Sequence, residues 1–200
     1  MMEATIKRYP CGQVAQTAID AAIKLRSRIR DVNQINKIEI GTFTEAKNVM
    51  AGDPEKWRPE TRESADHSLP YVVAIALMHG ALESNHFGED YLHNPDLLEL
   101  IRKIKVAATD ECNNLHPEAS ANRVTIITRS GEKMSELVQY HRGHYRNFLT
   151  DKEVEQKFHS LTRDLLPAIQ GKELQSAIWN LEQVENVARL IRLLKIGTMR

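Results

Sequence analysis

The sequence lacks the features of a secreted, membrane-bound or nucleic-acid-binding protein. Its two cysteines, Cys11 and Cys112, are too few for a disulfide framework and favour a reducing compartment. Lys and Arg number 27, as do Asp and Glu, so no bulk positive charge is available for nucleic acid. The longest apolar run, Tyr71 to Met78, is far shorter than the roughly 20 residues of a membrane-spanning helix. Since the first residues also lack an apolar signal segment, we predict a cytoplasmic protein (mitochondrial matrix if eukaryotic) that binds neither nucleic acid nor membrane.

Motifs for cofactors and metals are absent as well. There is no glycine-rich phosphate loop, no Gly-x-Ser-x-Gly elbow and no zinc-finger spacing. His79, His86 and His93 recur every seven residues, but glycines interrupt any continuous helix between them. His141 and His144 form a His-x-x-His pair in a predicted loop without cysteine or acidic partners. We therefore predict no metal site and no cofactor.

The first half of the chain mixes helical and strand patterns. Residues 3–8 are predicted as a short strand or extended lead-in. Apolar residues then recur every three or four positions, which predicts one helical face made of Val14, Ala18, Ala22, Leu25 and Ile29. Residues 35–44 alternate like a half-buried strand, and 51–66 are predicted as loop. Residues 71–78 are apolar on every side, as in a buried helix.

The second half continues this mixture. Asn94-Pro95-Asp96 is typical of a helix start, and residues 104–108 are predicted as a strand. Residues 109–121 and 141–149 are predicted as loops, with a β-hairpin between them over residues 124–140. Thr150 to Glu153 form a capping box, and further helices are predicted over 171–179 and 181–195. Because a hairpin is the best-supported strand pair, the α+β class with an antiparallel sheet is favoured over a parallel doubly wound sheet.

A basic motif, Lys7-Arg8-Tyr9-Pro10-Cys11-Gly12, precedes the first predicted helix. Lys7 and Arg8 form a cation pair at the mouth of a loop, and Lys and Arg side chains bind carboxylates and other anions. The structural alternative is a solvated basic pair beside an ordinary turn. The motif therefore indicates either an anion-binding loop or a simple chain reversal.

A second motif, Asp66-His67-Ser68, lies just before the buried helix. Histidine can take or deliver a proton near neutral pH, and an adjacent carboxylate can orient its ring. Asp66 and Ser68 are equally typical of helix N-capping residues, with His67 lying beside them. Both interpretations remain open on spacing alone.

Together with other segments, these motifs resemble the MmgE/PrpD family, which includes 2-methylcitrate dehydratase. The matching segments appear in the family's order and cover nearly the whole chain. They are Lys7–Gly12 with Gln16–Ala22, Pro59–Tyr71, Ile104–Val106, Arg142–His144 with Asn147, and Thr150–Phe158.

The resemblance implies a smaller α+β lid domain, similar in fold to chorismate mutase, that faces a large all-helical domain. Residues 1–165 would form the lid, and 166–200 would be C-terminal helices that return to the helical domain. The family removes water from, decarboxylates or epimerises small di- and tricarboxylic acids without a redox cofactor, in a site between the two domains. Its members are commonly dimers. The helical domain is not represented in this sequence, so we expect a homodimer or a helical-domain partner chain.

The resemblance also assigns candidate site residues. Lys7 matches the lid lysine of the family and is predicted to be catalytic together with His67. Arg8, Gln16, Ser68 and His144 are predicted to bind the substrate. Gln16 occupies a position that is often histidine in the family, and glutamine can hydrogen-bond a carboxylate but cannot act as a base.

The leading functional prediction is the C-terminal domain of a 2-methylcitrate dehydratase-like lyase, incomplete or inactive alone, that would convert a small tricarboxylic acid such as 2-methylcitrate to 2-methylaconitate. The alternative is a non-catalytic carboxylate-binding or dimerisation module that keeps the lid fold. A chorismate-mutase-like enzyme is a weaker third hypothesis, since only Lys7 and Arg8 supply neighbouring cations.

Overall fold

A computed structural model describes residues 3–196, which divide into two compact units between Phe148 and Leu149. The predicted domain boundary lies later, between residues 165 and 166. The helix over residues 151–162 therefore groups with the C-terminal helices in the structure. No helix in the described part of the chain is long and apolar enough to cross a membrane.

The N-terminal unit alternates helices with the strands of one sheet. Its helices are α1 (Gln16–Arg26), α2 (Thr44–Ala51), α3 (Arg62–Asp66), α4 (Leu69–His79), α5 (Glu89–Leu92), α6 (Pro95–Arg102) and α7 (Asp110–Leu115). Its strands are β1 (Ile35–Thr42), β2 (Ile104–Ala108), β3 (Asn122–Thr128) and β4 (Lys133–Val138). Short 3-10 turns occupy Gln13–Ala15, Val32–Gln34, Pro54–Trp57 and Ser84–Phe87.

The four strands form a mixed sheet in the order β2-β1-β3-β4. β1 runs antiparallel to β3, with Ile38 opposite Ile126, and β3 and β4 form the predicted hairpin. β1 and β2 are parallel, with Ile38 opposite Ile104, so the prediction of an antiparallel sheet is wrong for this pair. The long helical segment between these strands supplies the crossover that a parallel pair requires. The resemblance to chorismate mutase stays a prediction.

The core of this unit lies between the sheet and two buried helices. α1 packs against β3, β4 and α4, and its Ala18, Ala22 and Leu25 are fully buried, which confirms the predicted face. α4 is buried along nearly its whole length, as its uniform apolar sequence predicts. It ends at Gly80, whose positive φ of 69° favours glycine.

The predicted loops at 51–66 and 109–121 are wrong in part, because they contain short helices. α3 lies in the first, and α7 in the second begins where the Thr109 side chain accepts a hydrogen bond from the Cys112 amide at 3.3 Å. α2 was not predicted either. Such short, largely polar helices carry little periodicity, and tertiary contacts decide whether they form.

The C-terminal unit contains α8 (Asp151–Thr162), α9 (Ala168–Trp179), a 3-10 turn at Leu181–Gln183 and α10 (Val187–Leu193). The capping box is confirmed: the Thr150 hydroxyl accepts from the Glu153 amide at 3.3 Å. The predicted continuous helix over 181–195 is wrong, because residues 184–186 are not helical. The Asn186 side chain instead accepts from the Ala188 amide at 2.9 Å and starts a new helix.

Apolar side chains of the C-terminal unit are largely exposed within that unit. Of its described residues, only Gly171 and Leu174 are buried. Its most exposed large apolar residues are Ile169, Val187, Ile191 and Ile196, with 55–76% of their surface accessible. Such surface usually lies against another body.

Candidate functional site

The N-terminal segment lies beside the loop that carries the His-x-x-His pair. The Ile6 amide donates a hydrogen bond to the Gly143 carbonyl at 2.8 Å. The side-chain nitrogen of Gln13, Nε2, lies 2.9 Å from Nε2 of His141, whose side chain is buried. Two segments that are far apart in sequence are thus joined on both sides of Lys7 and Arg8.

The Asp66-His67 motif joins the same region through Gly12. The Gly12 amide donates to the Asp66 carbonyl at 3.0 Å. A Cβ at position 12 would lie 2.8 Å from the Met50 sulfur and 3.7 Å from Cδ2 of His67. Glycine therefore permits the close approach of the basic loop to Met50 on α2, while the His67 ring lies at ordinary contact distance.

Lys7 and Arg8 are both exposed on the basic loop. Nζ of Lys7 donates to the Cys11 carbonyl at 3.1 Å, so its ammonium group lies over the turn. The Arg8 guanidinium carbon lies 5.7 Å from the centre of the Tyr9 ring. Both cations are therefore attached to an ordered turn rather than to a loose terminus.

Gln16 holds that turn in place. Its side chain is fully buried, and its amide oxygen accepts from the Tyr9 amide while its nitrogen donates to the Tyr9 carbonyl, both at 3.0 Å. The same nitrogen donates to the Cys11 sulfur at 3.3 Å. These contacts give Gln16 a structural function in the loop, and its predicted contact with substrate stays a prediction.

His67 and Ser68 differ in what they can offer to a ligand. Nδ1 of His67 bonds to the Asp66 carboxylate, and 55% of the His67 side chain is accessible. The Ser68 side chain is fully buried; its hydroxyl donates to the Lys56 carbonyl and accepts from the Tyr71 amide at 3.1 Å. Ser68 is thus the N-cap of α4, which favours the structural alternative for this residue. Its predicted contact with substrate stays a prediction, whereas His67 keeps an accessible ring oriented by a carboxylate.

The loop over residues 140–147 presents His144 between aromatic and cationic neighbours. Its Nδ1 accepts from the Arg146 amide at 3.1 Å, and the Tyr140 and Tyr145 rings lie 4.8 and 4.3 Å from its centre. Burial, followed by the charges of His141 and Arg146, lowers the pKa of His144. His144 is therefore biased toward its neutral form at neutral pH.

Asp20 on α1 contacts both loops, and spacing gave no signal for it. Its Oδ1 accepts from the Tyr9 hydroxyl at 2.7 Å, and its Oδ2 accepts from the Arg142 amide at 2.8 Å. Burial, reinforced by the negative charge of Asp20, raises the pKa of Tyr9 far above its usual range. Tyr9 therefore stays protonated and can donate to the carboxylate.

No group of three His, Cys, Asp or Glu side chains that could hold a metal ion occurs among residues 3–196. His79 and His86 stack with ring centres 5.0 Å apart, and His93 pairs instead with Glu89 at 3.2 Å. His79 and His86 therefore contact each other, whereas His93 contacts Glu89 instead.

Comparison with known proteins identifies the family of this chain. The family model for the MmgE/PrpD C-terminal domain matches residues 9–183. The chain therefore belongs to the MmgE/PrpD family.

Named relatives are distant. The chain is 25% identical over 137 residues to a mouse cis-aconitate decarboxylase and 22% identical over 197 residues to one from Aspergillus terreus. It is also 26% identical over 147 residues to 2-methylcitrate dehydratase of Escherichia coli. These alignments cover 68%, 94% and 69% of this chain but only 28%, 40% and 30% of the relatives. The chain thus spans less than half of the length of each.

Replacing Gln16 by Ala should destabilise the N-terminal unit. The Tyr9 amide and carbonyl would lose their buried partner, which costs about 1–3 kcal/mol. Chemical denaturation followed by circular dichroism measures the loss. Gln34→Ala, at an exposed position in a 3-10 turn of the same unit, is the matched control. An equal, small effect of both substitutions would contradict the bracing function of Gln16.

His86 should make the stability depend on pH. Burial, with a smaller contribution from His79, lowers its pKa in the folded state, while its Nδ1 accepts the Glu83 amide at 2.9 Å. The unfolded chain binds the proton more readily, with a histidine pKa of about 6.5, so the free energy of unfolding should fall as the pH drops below that value. Urea titrations between pH 7.5 and 5 measure the slope.

His86→Gln should reduce that slope, since the amide oxygen can accept the same hydrogen bond without titrating. The slope that remains is expected from His144, whose pKa is lowered as well. His159→Gln, at an exposed position on α8, should leave the slope in place. An unchanged slope in the His86 variant would show that His86 does not cause it.

Proposed function

We propose that this chain supplies the carboxylate-binding wall of a lyase that acts on a small tricarboxylic acid. The leading reaction is the dehydration of a hydroxy acid such as 2-methylcitrate to 2-methylaconitate, without a cofactor, as the family resemblance implies. The observation that carries the proposal is the convergence of the basic loop, the Asp66-His67 segment and the His144 loop in one unit.

The groups in this region suit the chemistry of such an elimination. A proton leaves the carbon next to a carboxylate, the carbon–oxygen bond breaks, and the hydroxyl leaves as water after it gains a proton. Lys7 and Arg8 would neutralise substrate carboxylates and the negative charge that grows next to them. His67, oriented by Asp66, would exchange a proton with the substrate.

A second group to complete the acid–base pair would come from an opposing wall. The matched part covers only 28–40% of the named decarboxylase relatives, which leaves room in such proteins for another domain. Half of a two-walled site lacks the opposing groups that provide proximity and orientation. We therefore expect this chain alone to bind tricarboxylates with little turnover, and loss of Lys7 from a completed site to cost on the order of 100-fold in rate.

Lys7→Met should weaken the binding of citrate or cis-aconitate at least about tenfold, because a charge-assisted contact to the anion is lost. Isothermal titration of the 200-residue chain measures the affinity. Lys105→Met, on the edge strand farthest from β4 in the sheet order, removes the same charge and should leave the affinity unchanged.

Equal affinities of wild type and Lys7→Met would exclude Lys7 from the site. An assay panel of 2-methylcitrate and cis-aconitate then distinguishes the two reactions named for the relatives. Rapid dehydration by the chain alone would contradict the proposed need for a second wall.

A second candidate function, association through the C-terminal unit, is favoured by the exposed apolar residues of that unit. We propose that these side chains pack against a second copy of the chain when no helical domain is present. Light scattering should then show a mass that rises with concentration. Ile169→Lys, at a position 76% exposed, should shift the chain toward monomer, whereas Lys172→Ala, at an exposed position on the same helix, should not. A monomer at high concentration would exclude this function.

A further inference from the structure

Asp20 is the one carboxylate, among the contacts described above, that bonds to both site loops at once. Its two oxygens accept from the Tyr9 hydroxyl and from the Arg142 amide, which lie 11 and 122 positions away in sequence. Its helix is fixed, because the adjacent Ile19 and Ala21 are fully buried in the core. The carboxylate thus bridges two loops from a rigid support.

The residue type at this position matters for that geometry. A carboxylate offers two acceptor oxygens, whereas the amide of asparagine offers one acceptor and one donor. The Arg142 amide requires an acceptor, whereas the Tyr9 hydroxyl can donate or accept, so asparagine could still contact both loops. Alanine offers no polar group and would release both loops from the helix.

Both loops carry residues of the proposed site. Tyr9 directly follows Lys7 and Arg8, and Arg142 lies two residues before His144. The hydrogen bonds from Ile6 to Gly143 and from Gln13 to His141 also join these loops, but neither involves α1. The two hydrogen bonds of Asp20 therefore fix the positions of both loops relative to α1.

We propose that Asp20 is a positioning residue that holds Lys7 and Arg8 in register with His144 and thereby sets the affinity of the site for a tricarboxylate. The inference rests on the function proposed above. Both oxygens of Asp20 accept from the protein, and its negative charge would repel a tricarboxylate, so its action is through the loops and not through contact with the substrate.

Hydrogen exchange tests the bridge without any ligand. In Asp20→Ala, the Ile6 amide should exchange about tenfold faster, although its own acceptor is Gly143 and not residue 20. The Ile38 amide, which donates to the Lys103 carbonyl in the sheet, should keep its protection and shows that the unit remains folded. Unchanged protection of Ile6, or an equal loss at Ile6 and Ile38, would overturn the inference.

The affinity for cis-aconitate, measured by isothermal titration, tests whether Asp20 controls binding of a tricarboxylate. Asp20→Ala and Tyr9→Phe should each weaken binding about tenfold, and the double variant should be little weaker than Asp20→Ala alone, since both break the same link. Asp20→Glu keeps two acceptor oxygens and should retain part of the affinity. Asp31→Ala, which removes the same charge at an exposed position, should bind like wild type.

The two proposals fail in different ways. If the wild type binds no tricarboxylate, the proposed function fails, and the exchange of the Ile6 amide still decides the bridge. If Lys7→Met weakens binding but Asp20→Ala changes neither affinity nor Ile6 exchange, the positioning role alone is overturned.

Discussion

The structure of the candidate site depends on the burial of α1. Because this helix is fixed between α4 and the sheet, the side chains at its first turns hold an exact position for the loops around them. Gln16 bonds to the backbone of Tyr9. Asp20 accepts from the Tyr9 hydroxyl in the basic loop and from the Arg142 amide in the His144 loop. Apolar packing of one helical face thus determines where exposed cations lie, which is how a core positions a surface site.

Much of the fold was predictable from periodicity. The face of α1, the uniformly apolar α4 and the β3–β4 hairpin follow from local patterns, and the structure confirms them. The parallel pairing of β1 with β2 was not predictable, because it depends on a crossover and not on the residues of either strand. α7 was missed because its polar sequence has no apolar period, and a single buried side chain, Cys112, fixes it to the core.

The site was predictable in part, through its motifs. Lys7, Arg8 and His67 are exposed on segments that meet, as residue types suited to binding an anion and moving a proton would require. Ser68 is buried as a helix cap, which spacing had left as an open alternative. Asp20 was missed because its two partners lie in other parts of the sequence, and only the tertiary fold brings them to one carboxylate.

The proposal that the basic loop, the Asp66-His67 segment and the His144 loop form one tricarboxylate-binding site is tested by mapping amide chemical shifts during a titration with cis-aconitate. We predict saturable shifts that appear together in three segments of the N-terminal unit, residues 6–13, 66–67 and 141–147. These segments share hydrogen bonds, and a tricarboxylate bound to one should be sensed by the others. Shifts confined to the C-terminal unit or to the far edge of the sheet, or no saturable shift at all, would contradict it.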